Sequence, residues 1–207
     1  MKALAIVCLT AASVFASAAN AQTASPADEI SGNAVFCQGS YALCIRAPCA
    51  AVPSRDAQGN YTSDQVLCSC VVESGWSMGP AQCSERTPVK KGGLTFLMST
   101  YSNRFNTQDK TLSCDNADTQ WAWCYGAPCV VDPRDPKSAT CNCPVRTGPM
   151  RTLGGKCSQK SCDLIWSAAT PAADKFANQH FYDYMKANQP GYPVNAPAPA
   201  CLRTGSR

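Results

Sequence analysis

Twelve cysteines set out one layout twice: Cys37, Cys44, Cys49, Cys68, Cys70 and Cys83, then Cys114, Cys124, Cys129, Cys141, Cys143 and Cys157. A unit of about 45 residues seldom buries enough apolar surface to fold without covalent staples. The pattern therefore predicts a small disulfide-rich, mainly β protein: two tandem six-cysteine β-hairpin or meander modules, followed by a C-terminal α-helix. The bounds read as 37–83 and 114–157 for the modules, 22–36 for an N-terminal arm, 84–113 for a connecting segment with a strand, and 158–207 for the helix and a Pro/Ala tail.

The repeat extends beyond the cysteines. Residues 41–53 read YALCIRAPCAAVP and residues 121–133 read WAWCYGAPCVVDP, with no gap between them. Cys49 and Cys68 lie 19 positions apart, whereas Cys129 and Cys141 lie 12 apart, so the length change falls in one polar loop. Shared order with a loop-confined length change is the mark of a repeated unit. Six cysteines allow about 15 pairings within a copy. A bridge across Cys68-x-Cys70 or Cys141-x-Cys143 would strain its short ring. Excluding it leaves about twelve arrangements, and the spacing does not choose among them.

Oxidised cysteines need an oxidising compartment, and the N-terminus supplies a route. Met1 and Lys2 precede a short apolar run, Ala3 to Phe15, and Ala19-Asn20-Ala21 fits a small-x-small cleavage site. Cleavage after Ala21 is expected, placing the mature protein in a periplasm or outside the cell. The run is shorter than the roughly 20 residues a membrane span requires, and no later segment is apolar for as long, so no membrane span is expected. Formal net charge is +4 over 207 residues, and Lys90-Lys91 is the longest basic run after Lys2. Nucleic acid is therefore a poor partner expectation. Ile, Leu, Val and Phe number only 26 after residue 21, against 14 cysteines. Bridges must compensate for a thin apolar interior, at about 2–4 kcal/mol each.

Local patterns fill in the rest. Tyr41–Ile45, Trp121–Tyr125, Val66–Val72, Thr140–Val145 and Leu94–Tyr101 read as strands. Lys90-Lys91-Gly92-Gly93 reads as a flexible break, and Phe96 and Met98 share the face expected to pack against a module. Thr170 is placed to cap a helix that has Pro171 in its first turn. Ala173, Phe176, Ala177, His180, Phe181, Tyr184 and Met185 recur at three- and four-residue spacing, and Asn188, Pro190 and Gly191 end the pattern. Cys162 and Cys201 lie outside the repeats, and a bridge between them would enclose this helix.

The sequence offers four candidate sites. In an extended strand Trp121, Trp123 and Tyr125 face one way and offer a stacking platform for a glycan or peptide. The equivalent Tyr41, Leu43 and Ile45 are all apolar, which makes a packing face the simpler reading. Metal binding needs thiolates that oxidation removes, and no histidine clusters with the cysteines, so neither metal nor cofactor is expected. His180 is the sole histidine, so histidine chemistry must run through it with Asp183 as orienting group, and this is the catalytic alternative. The long Pro53–Asp64 loop, flanked by cysteines, suits a protease-inhibitor-like presentation. The leading expectation is an exported, non-catalytic, disulfide-stabilised interaction or structural protein with an unknown protein or glycan partner.

Overall fold

A computed structural model describes residues 30, 34–52, 54–55, 61–62, 64–103, 111–155, 157, 164–194 and 196. The strands in chain order are β1 (Val35–Leu43), β2 (Pro48–Ala51), β3 (Ser54–Arg55), β4 (Tyr61–Thr62), β5 (Gln65–Gly79), β6 (Val89–Lys91), β7 (Leu94–Met98), β8 (Leu112–Cys114), β9 (Gln120–Ala122), β10 (Pro128–Val131), β11 (Ser138–Thr147), β12 (Met150–Thr152) and β13 (Leu164–Trp166). One helix, α1 (Pro171–Asn188), follows. The architecture is mainly β and disulfide-rich, with the helix at the C-terminal end, as the cysteine layout predicts.

Six bridges form among the described residues, nested identically in each copy. They are Cys37–Cys83, Cys44–Cys70 and Cys49–Cys68, then Cys114–Cys157, Cys124–Cys143 and Cys129–Cys141. Antiparallel pairing explains the innermost pair. Cys49 lies opposite Cys68 in the β2–β5 ladder, and Cys129 opposite Cys141 in the β10–β11 ladder, with Cα atoms 4.0 Å apart in both. Directly opposed side chains share a face of the sheet, so two cysteines there meet without any rearrangement. The expected Cys162–Cys201 bridge lies outside the described residues.

The two copies do not sit side by side as separate units. β5 pairs with β11, and Cys68 lies opposite Cys141 across that ladder. The flanking pairs, Cys70 with Ala139 and Val66 with Cys143, are then related by a local two-fold axis through that central pair. The strands after each copy then cross over. β7, which follows the first copy, pairs with β10 of the second and sets Leu97 opposite Cys129. β13, which follows the second copy, pairs with β2 of the first and sets Ile165 opposite Cys49. The backbone bonds match: Ser99 N–H donates to Ala127 O at 2.8 Å and Ser167 N–H to Ala47 O at 2.9 Å. Thr100 N–H donates to Ala42 O, and Ala168 N–H to Ala122 O, both at 3.0 Å. One continuous nine-stranded sheet results, with β13-β2-β5-β11-β10-β7-β6 in order, β1 also on β5 and β9 on β11.

This geometry revises two local expectations. Gly92 and Gly93 are not a flexible break. They form the two-residue turn of the β6–β7 hairpin, with φ of 57° and 77°. Positive φ at both central positions is what a tight hairpin turn demands, and Gly-Gly provides it without steric cost. In β7 it is Leu97, buried, that enters the core, while Phe96 and Met98 are half-buried on the other face. β7 joins the sheet by backbone pairing, so alternate residues must point to opposite faces.

Alternation along β5 and β11 separates two environments. Val66, Cys68 and Cys70, with Ala139, Cys141 and Cys143, point into one core, together with Leu97 and Ile165. Four bridges lie in that core and supply volume that aliphatic side chains would otherwise fill. A second core lies under α1, where Ala173, Ala177, Phe181 and Met185 pack on Met78, Trp121 and Met150. Thr170 caps the helix, its Oγ1 accepting from Ala173 N–H at 3.1 Å.

Candidate functional site

The residues singled out from sequence fall in three places. Trp121 and Trp123 are 1% and 6% exposed, and Tyr125 is half-buried. β9 covers only Gln120–Ala122, so the three rings do not lie along one regular strand. Trp121 and Trp123 meet edge to face at 6.0 Å within the core under α1. Copy one has the same requirement at Tyr41 and Leu43, both buried. A stacking platform needs an open ring face, and neither indole presents one.

His180 is half-buried between Phe36 and Phe176, with ring centroids 5.2 and 5.1 Å away. Asp183 is exposed and accepts a hydrogen bond from Gln179 Nε2 at 2.8 Å. Among the described residues no hydrogen bond joins His180 to Asp183. Most of the Pro53–Asp64 loop lies outside the described residues, but β3 and β4 pair within it.

The core sulfurs crowd across the two-fold. Cys44, Cys129 and Cys141 lie within 4.8 Å of one another, as do Cys49, Cys68 and Cys124. All six are bridged. Metal ligation by cysteine requires thiolates, so this donor set, as bridged, is closed to that chemistry.

Two features were not visible in the sequence. The first is a half-enclosed cleft on the local two-fold, between the four-bridge core and α1, with a cavity volume of about 80 Å³. Equivalent residues of the two copies wall it: Leu43 and Trp123, Ile45 and Tyr125, and Thr100 and Ala168. Polar groups gather at one end. Arg151 Nη1 lies 3.7 Å from Asp174 Oδ2. Asn178 Nδ2 donates to Asp174 Oδ1 at 3.0 Å, and Tyr101 O–H donates to Asn178 Oδ1 at 2.6 Å. Burial pushes the Asp174 carboxyl above its ordinary value, and Arg151 and Asn178 oppose that shift. Burial also raises the Tyr101 phenol well above its usual range, with the Asp174 charge adding to it.

Three polar atoms of residues around this cleft have no hydrogen-bond partner among the described residues: Thr100 Oγ1, Tyr125 Oη and Arg151 Nε. A buried polar group left unpaired costs about 1–3 kcal/mol. Behind Tyr125, Arg86 is itself buried and donates to Val35 O at 2.8 Å and Ser77 O at 3.2 Å, and also to Ser77 Oγ. Its guanidinium pKa is lowered by desolvation, against the opposing pull of Tyr125 and Tyr41. No carboxylate pairs with it among the described residues.

The second feature is the outer face of the sheet. Leu67 and Val71 on β5, Leu164 on β13, Val89 on β6 and Leu94 on β7 are 38 to 57% exposed. The registers line their neighbours into a ladder, Val89–Phe96–Val130–Thr140–Ser69. A second row runs Leu164–Ala50–Leu67–Asn142. The opposite face of the same strands is sealed by bridges. No helix of the described residues is long and apolar enough to cross a membrane.

No protein-family model matches the chain, no curated protein matches it, and no solved structure matches its fold.

Proposed function

We propose that this is an exported, non-catalytic binding protein whose outer sheet face recognises a partner protein outside the cytoplasm. Its many disulfides mark a disulfide-stabilised protein of an extracytoplasmic, oxidising environment. The export segment, with cleavage after Ala21, is the proposed route there.

One observation carries the reading. Five large aliphatic side chains are exposed on a sheet whose other face is locked by four bridges. Two apolar strips on that face, Leu164–Ala50–Leu67 and Val89–Phe96–Val130, point to an interaction site. The locked backing means that little ordering entropy is lost on binding. The side chains are aliphatic, whereas glycan platforms depend on open aromatic faces, so a protein partner is favoured over a glycan.

Site-specific photo-crosslinking in the native extracytoplasmic fluid tests this. A photoreactive residue at Leu67 should yield a discrete protein adduct, and one at Arg134, on the exposed turn between β10 and β11, should not. Lys substitution at Val71 or Leu164 should abolish the Leu67 adduct. Equal labelling from Leu67 and Arg134, or no adduct from Leu67, overturns the proposal.

A further inference from the structure

We propose that the cleft on the local two-fold axis binds a small apolar monocarboxylate, with its hydrocarbon body between the copies and its carboxylate toward Arg151. This ligand site is separate from the outer sheet face and does not depend on that reading.

Comparison of the two copies motivates the assignment. Positions related by the two-fold have the same backbone role, so differences in side chain at the cleft are not demanded by the fold. Met78 and Arg151 hold such a pair of positions: Met78 bridges Tyr101 and Arg151 bridges Ala169 with the same antiparallel backbone pattern. Met78 is fully buried, but the Arg151 side chain is 40% exposed and stands at the cleft. Likewise Ile45 is matched by Tyr125, and Ala168 by Thr100. Each of these differences adds a polar group to the wall of an otherwise apolar cavity.

The added groups share a chemistry. Thr100 Oγ1, Tyr125 Oη and Arg151 Nε can all donate, and none has a partner among the described residues. Thr100 is 4% exposed, so bulk water does not relieve it. An oxygen acceptor satisfies such a set, and charged acceptors form the stronger hydrogen bonds. Among the described residues Asp174 is the one carboxylate on the wall, and Arg151 and Asn178 already cover its charge. The Arg86 guanidinium, which no carboxylate pairs among the described residues, adds a second positive charge near Tyr125. The balance therefore favours an anion over a cation.

Size limits the hydrocarbon. A dry cavity of about 150 Å³ accommodates benzene. The cleft offers about 80 Å³, which suits a body of three or four carbons with the carboxylate at the open side.

Isobutyrate is the probe, compared with isobutyramide and isobutylamine, titrated into the intact oxidised protein and followed by amide and indole NMR shifts. Isobutyrate should give saturable shifts centred on Trp123 and Ala168, with the amide weaker by about tenfold and the amine without effect. Arg151→Met should weaken isobutyrate by about tenfold while leaving the amide unchanged. Ala168→Leu, which fills the cavity at a half-buried position, should abolish the shifts. Near-ultraviolet circular dichroism establishes that both variants keep the fold. If isobutyrate gives no saturable shift, if the amine binds as well as the acid, or if Ala168→Leu leaves binding intact, the proposal is overturned. The Leu67 crosslink is indifferent to each of these outcomes.

Discussion

Phe181→Ala should release α1 from the sheet without opening the sheet itself. Phe181 is fully buried and is the central anchor of the helix, with Phe36 and Tyr101 rings at 5.9 and 6.1 Å. Burying a Phe side chain contributes about 1.5–3 kcal/mol. Each lost aromatic contact adds about 0.5–1.5 kcal/mol, and a residual cavity adds more, so a cost of about 4 kcal/mol is expected. An isolated helix of this length is marginal in water, so docking supplies most of its stability. The strands beneath are held differently: β5 has Cys68 and Cys70, and β11 has Cys141 and Cys143, all bridged within the other core. Hydrogen exchange read by mass spectrometry separates the two regions. Protection over Pro171–Asn188 should fall about a thousandfold, while the amides of Val66–Cys70 and Ala139–Cys143 keep theirs. A parallel loss in both regions, or a fall of less than about tenfold in the helix, refutes the reasoning that bridges and helix form separate cooperative units.

Other outcomes follow from the same physics. Cys83 and Cys157 are exposed, whereas the core cysteines are buried. Mild reduction followed by alkylation and mass mapping should therefore open Cys37–Cys83 and Cys114–Cys157 before any of the four core bridges. Thr170→Ala removes the acceptor for Ala173 N–H and should lower stability by about 1 kcal/mol in urea titration. Asp174 has a raised folded-state pKa, so the folded form holds its proton more tightly than the unfolded chain. Its contribution is therefore complete below the ordinary carboxyl value and is lost as pH rises through the folded value. Helix protection should strengthen on acidification through that window, and Asp174→Asn should remove this slope.

The helix and the staples were legible in the residues. Thr170-Pro171 at one end and Asn188, Pro190 and Gly191 at the other bracket α1 as observed, because capping and chain-reversal rules act within a turn. The inward cysteines of β5 were likewise readable as a strand. Local rules did not reach the connectivity. Twelve pairings were compatible with the spacing, and the strand registers fixed the innermost bridge of each set by placing Cys49 opposite Cys68 and Cys129 opposite Cys141. Trp121 and Trp123 illustrate the same limit: alternation set them on one side of a strand, but what covers that side comes from residues 171–185, far along the chain.

By itself, the order of residues determined where staples can form, where the helix begins and ends, and that the cysteines of β5 and β11 alternate onto one face. These depend on contacts between near neighbours, whose geometry a short stretch of chain already sets. Only the tertiary structure decided that β7 and β13 exchange between copies, that one cavity lies on the axis between them, and that Arg151, Asp174 and Asn178 meet there. Those contacts join residues far apart in the chain, and the ladder hydrogen bonds of partner strands, not nearby sequence, select them.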